Sequence, residues 1–168
     1  MGYVHDTSMS QYIPPTLFHF STATITYIAG QVAGTIVAHR AAADQTSLIT
    51  VPIAIPSNSV PLKGAYLKSI EIDYELLVAE PTSITFTVNK VTRGANTAVA
   101  VVAAQTATSN LTASTCKTVD QHKAILTITT PFWIDNDEYV LVEMALAAGA
   151  GGNTADFLGA VANFTERL

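Results

Sequence analysis

Residues Tyr66–Val78 alternate with a period of two. Ile70, Ile72, Tyr74 and Leu76 fall on one side, and Glu71, Asp73 and Glu75 on the other. Successive strand side chains point to opposite faces, so this pattern predicts a half-buried strand with one wet face. After Glu80-Pro81 the pattern returns: Ile84, Phe86 and Val88 oppose Thr85, Thr87 and Asn89, and the short connection predicts a hairpin. Lys123–Thr129 places Ala124, Leu126 and Ile128 together, and Pro131 is expected to end that strand. Asp156–Thr165 reads as the last strand, with Leu158, Ala160, Ala162 and Phe164 on one face. Thr22–Ile28, Gly34–His39 and Ser47–Ile55 are further strands, and Ala41–Asp44 reads as one helical turn. Ala98–Ala104 and Tyr139–Leu146 are apolar on both faces; the first is expected to be central or covered by another subunit. Seven prolines punctuate any long helix, and the 23 threonines suit a pleated surface. Eight or nine short strands at ~10–15-residue spacing predict an all-β fold, an antiparallel sandwich of jelly-roll type.

Composition narrows the role. Hydrophobic residues make up 49% of the 168, only 12% are charged, and net charge is −5. Mean hydropathy is +0.33. The longest apolar run, Ala98–Ala104, falls far short of the ~20 residues a spanning helix needs, so no membrane partner is expected. Without a basic surplus to neutralise phosphates, no nucleic-acid partner is expected either. The opening Met-Gly-Tyr-Val-His-Asp has neither the basic nor the apolar stretch of a secretory signal.

Residues 1–16 break the alternation. They are polar, carry tyrosines and end at Pro14-Pro15, which favours an extended entry. This reads as an extended N-terminal arm outside a single β-sandwich domain of residues 17–168. Tyr3, Val4, Tyr12 and Ile13 are costly to leave in water, so these four, with Pro14 and Pro15, are the candidate partner-binding residues.

No catalytic constellation is visible. His5, His19, His39 and His122 lack metal-ligand spacing, and no nucleophile elbow, P-loop or GxGxxG occurs. Cys116 is alone and reads as a small buried hydrophobe. Asp135, Asp137 and Glu138 could offer oxygens to Ca²⁺, but they lack the later Gly and bidentate Glu of an EF-hand and read as a solvated turn. Glu71, Asp73 and Glu75 read as a solvated strand face rather than a glycosidase pair. Gly149–Gly152 reads as a hairpin loop. Trp133, the one tryptophan, is a candidate interface aromatic that could alternatively stack on a sugar. No enzyme, metal or cofactor is expected.

The segments LKGAYLKSIEIDYELL, HKAILTITTPFWIDNDEYVLVEMAL and DFLGAVANFTERL, with the opening YVHDTSMSQYIPP, resemble small β-sandwich virion proteins of tailed bacteriophages, of the head decoration (cement) or head-fibre type. The resemblance implies a homotrimer bound to the major capsid protein on the capsid exterior, made in the bacterial host cytoplasm. Its expected action is to clamp adjacent capsomers. Low charge and strands apolar on both faces agree, because obligate interfaces resemble a core cut in half. Alternatives are a fibre or receptor-binding module recognising host glycan, or another β-sandwich shell or tail subunit.

Overall fold

A computed structural model describes residues 6–22, 24–30, 35–43, 45–56, 64–94, 99–147, 149 and 152–167. Two antiparallel sheets pack face to face. The larger contains β1 (Asp6–Ile13), β3 (Ile25–Ala29), β4 (Ile36–Ala43), β6 (Gly64–Leu76), β9 (Ala107–Ser109), β10 (Gln121–Trp133) and β12 (Asn153–Arg167). The smaller contains β2 (His19–Phe20), β5 (Ser47–Ile53), β7 (Ile84–Thr92), β8 (Val101–Gln105) and β11 (Glu138–Leu146). Their orders are β3-β4-β12-β6-β10-β9, with β1 also paired to β12, and β2-β5-β11-β7-β8.

Take β4, β5, β6, β7, β8, β10, β11 and β12 as eight strands in chain order. One sheet reads first-eighth-third-sixth and the other second-seventh-fourth-fifth. That interleaving is the jelly roll expected from the sequence.

The alternating positions meet between the sheets. Ile70, Ile72, Tyr74 and Leu76 of β6 face a core that includes Val140, Val142, Met144 and Leu146 of β11, and all eight are buried. Each large aliphatic side chain there contributes about 1.5–3 kcal/mol by leaving water. The Tyr74 hydroxyl donates to Cys116 O at 2.6 Å, so its polar end is satisfied inside the core. Among the described residues no helix is long and apolar enough to cross a membrane.

Several local expectations fail for physical reasons. β6 and β7 are not a hairpin, because they belong to different sheets. Their connection begins with Leu77 N–H on Thr154 O and ends with Thr82 N–H on Ala147 O, so it passes from one sheet to the other. Alternation fixes which face is buried but not which sheet a strand joins. Residues 41–43 continue β4 rather than forming a helical turn. Pro131 does not end β10. It falls where pairing with β6 lapses between Thr127 and Phe132, a place where a missing N–H costs no ladder bond.

The segment expected to lie outside the sandwich is part of it. Asp6–Ile13 pairs antiparallel with β12, from Asp6 opposite Arg167 to Ile13 opposite Ala160. Ile13 and Pro15 are buried, and the chain turns into the core through a short 3-10 turn at Pro15–Leu17. Phe18 then meets Phe157, ring centroids 6.3 Å apart. The boundary expected after residue 16 therefore does not separate an outlying arm from the sandwich. β1 flanks an edge and is mostly exposed, so its polar side chains carry no alternation signal and only Ile13 enters the core.

Candidate functional site

Across one end of the larger sheet, on its outer face, Ser8, Thr165, Tyr66 and Trp133 are successive register partners from β1, β12, β6 and β10. With Asp6 and Lys68 they line an open cleft of about 370 Å³. The Tyr66 and Trp133 rings lie 4.9 Å apart, tilted by 43°, and both are half-buried. Thr165 is only 5% exposed, and its Oγ1 has no hydrogen-bond partner among the described residues.

A local irregularity builds this cleft. Ser69 pairs with Asn163 and Leu67 with Phe164, so Lys68 has no partner on β12. The extra residue is a bulge, which re-aims the strand. Strict alternation with Ile70 and Ile72 would send Tyr66 inward. The bulge sends Leu67 and Ala65 into the core instead and leaves Tyr66 outside, beside Trp133.

The sequence-derived candidates separate into different places. Trp133 lies in the cleft. Tyr12, Pro14 and Pro15 line a second groove with Thr16, Thr35, Ile36, Val37 and Leu158. Tyr12 is exposed and lies across Gly159, where φ is +138° and a Cβ would strike its ring at 2.6 Å. Its hydroxyl donates to Leu158 O at 2.9 Å. Ile13 is a core residue rather than a partner-facing one. Tyr3, Val4 and His5 lie outside the described residues.

The acidic candidates are engaged with neighbours. Lys123 donates to Glu71 at 3.2 Å, and Asn163 Nδ2 donates to the other Glu71 oxygen at 2.9 Å. Partial burial, with the Glu71 charge beside it, raises the Asp73 carboxyl against the opposing pull of Lys123. Glu138 accepts from Lys90 Nζ at 2.7 Å and from Asp135 N–H at 3.0 Å. Burial pushes its carboxyl up, but those bonds, a Thr92 contact and the Lys90 charge outweigh it and hold it below the usual range. Asp135–Glu138 is thus a turn fastened to β7, and among the described residues no three His, Cys, Asp or Glu side chains gather as metal ligands. His39 Nδ1 and Asp156 Oδ1 lie 2.6 Å apart, but among the described residues no hydroxyl or thiol nucleophile bonds to His39. Cys116 is buried, and that burial raises its thiol above its ordinary value.

One further surface stands apart. β8 ends the smaller sheet, and among the described residues no strand pairs with its outer edge. Val101 and Val102 are 64% and 60% exposed, and Val99 just before them is 86% exposed. Of the sequence expectations for this segment, a central position is excluded; Ala98 itself lies outside the described residues.

No protein-family model and no curated protein matches the chain. Among solved structures it is similar to the family 11 carbohydrate-binding module from Clostridium thermocellum, solved with a β-1,3-1,4-mixed-linked tetrasaccharide. The identity is 7%, the TM-score 0.37, and the match covers 95% of this chain and 89% of that one. So loose a superposition assigns neither ligand nor role.

Proposed function

We propose that the protein is a non-enzymatic virion subunit, a capsid decoration protein that assembles as a homotrimer on the major capsid protein and clamps adjacent capsomers from the capsid exterior. The observation that supports the assembly is β8. An exposed, apolar edge strand is a template for pairing with another chain, and monomers blunt such edges with charge, proline or cover. This edge carries valines and alanines instead. The virion context rests on the sequence resemblance.

The energetics favour a closed ring over a single pairing. Burying Val99, Val101 and Val102 contributes roughly 4–9 kcal/mol. Association costs about 4–15 kcal/mol in lost freedom. One such contact is therefore marginal, whereas in a closed ring β8 seats on a different surface of its neighbour, so each subunit takes part in two contacts. A ring presents several copies to a shell at once, so weak contacts to capsomers add as avidity.

Light scattering with sedimentation velocity tests the assembly. Wild type at about 10 µM is expected to sediment as three copies of the 17.7 kDa chain. Val101→Lys together with Val102→Lys is expected to give a folded monomer, because charged edges reject pairing. A wild type that is monomeric under these conditions overturns the proposal.

A further inference from the structure

From the cleft at Tyr66 and Trp133 we infer a binding site for a saccharide, separate from the assembly edge on β8. The chemistry of the lining carries this. Two aromatic rings pack against each other at an angle and line the cleft while only half-buried, so aromatic surface remains to meet the apolar face of a pyranose ring. Around them stand Asp6, Ser8, Lys68 and Thr165, which supply hydrogen-bond donors and acceptors of both kinds. A mostly apolar ligand would leave Ser8, Lys68 and Thr165 unmatched. A polyol with an apolar face satisfies both halves of the lining.

Thr165 adds an independent observation. It lies between Ser8 and Tyr66 in the row, nearly fully buried, with a hydroxyl that makes no hydrogen bond among the described residues. Native structures rarely leave a buried polar group unpaired, and where one persists beside a cleft a ligand or ordered water commonly completes it. The volume of about 370 Å³ falls within the ~300–1,000 Å³ of small-ligand sites. Because four strands from distant parts of the chain build the cleft, the aromatic pair stands in place before ligand arrives.

Trp133 is the chain's one tryptophan, so its fluorescence reports the cleft directly. The experiment titrates the full-length protein with cellotetraose, chitotetraose and β-1,4-galactotetraose, read by tryptophan fluorescence and calorimetry. At least one sugar is expected to give a saturable change, with a dissociation constant below about 1 mM. Tyr66→Ala should weaken it roughly tenfold. Lys68→Ala, at an exposed bulge where folding is not at risk, should weaken it several-fold. Both readouts are independent of oligomeric state, because Val101→Lys/Val102→Lys should bind the same sugar equally well. No saturable response from any of the three at about 10 mM overturns the inference. So does a response that Tyr66→Ala and Lys68→Ala leave unchanged, or one lost only in the β8 double variant, which would mark the cleft as a contact between copies.

Discussion

Arg40 has no exposed surface, and no carboxylate pairs with it among the described residues. Its guanidinium is held by neutral acceptors: Ser47 Oγ at 2.9 Å, Asn153 O at 2.7 Å, Asn153 Oδ1, and Gln45 O at 3.0 Å. It thereby fastens β4 to the approach to β5 and to the start of β12. A hydrogen bond involving a charged group contributes about 1.5–3 kcal/mol, so four total roughly 6–12 kcal/mol. Against this, burying an ion costs several kcal/mol, and the same burial lowers the Arg40 pKa. Removing the side chain also strands the acceptors and opens a cavity. Arg40→Ala is therefore expected to lose about 3–5 kcal/mol. At ~2–4 °C per kcal/mol for a domain of this size, Tm should fall by roughly 6–20 °C. Arg40→Met keeps length and apolar bulk without the donors and should recover less than half of that loss. Urea and thermal unfolding, followed by circular dichroism and Trp133 fluorescence, measure both. If Arg40→Met equals or exceeds wild type in stability, desolvation outweighs the hydrogen bonds and the reasoning fails.

Further outcomes follow from other parts of the fold. Deleting residues 1–13 removes all of β1 and the buried Ile13, so unfolding should cost several kcal/mol less; a deletion that melts with wild type would put β1 outside the cooperative unit. Burial raises the Tyr74 pKa above its ordinary 10.0, with the Cys116 charge adding to it. A raised folded value gives stability that is fully present below the unfolded pKa and is lost as pH rises, so alkaline titration should destabilise the protein from about pH 10. Tyr74→Phe should flatten most of that slope at a neutral-pH cost of about 1 kcal/mol from the lost bond to Cys116 O, and a slope unchanged by the substitution would refute the assignment. Glu138 runs the other way. Its depressed folded pKa gives stability present above the ordinary carboxylate value and lost as pH falls through the folded one, so Lys90→Met should remove roughly 1 kcal/mol or less at pH 7 and progressively less as the pH falls through that folded value, by urea unfolding at each pH.

The core was legible because it follows one rule. Ile70, Ile72, Tyr74 and Leu76 alternate, and all four are buried in the sandwich. What escaped is what alternation does not encode. The pairing of Asp6–Ile13 with β12 rests on backbone hydrogen bonds, which polar side chains do not advertise. The bulge at Lys68 inverts the register, so Tyr66 reads as inward and stands outward. Trp133 was visible as an unusual aromatic, but its partner is 67 positions away in sequence, and only the β6–β10 register joins them. Arg40 reads as a surface residue by type and is buried because Asn153 and Ser47 converge on it.

Asp6 and Arg167 are register partners, so the two ends of the described chain leave the fold at one corner, and that corner borders the Tyr66–Trp133 cleft. A circularly permuted chain, joined there by a short linker and opened elsewhere, would keep both sheets intact. A tag or cargo domain joined directly to Asp6 or Arg167 would start beside the aromatic pair and crowd it, while leaving the valine edge of β8 clear. Displayed fusions on this scaffold would thus trade one surface against the other according to where they are joined.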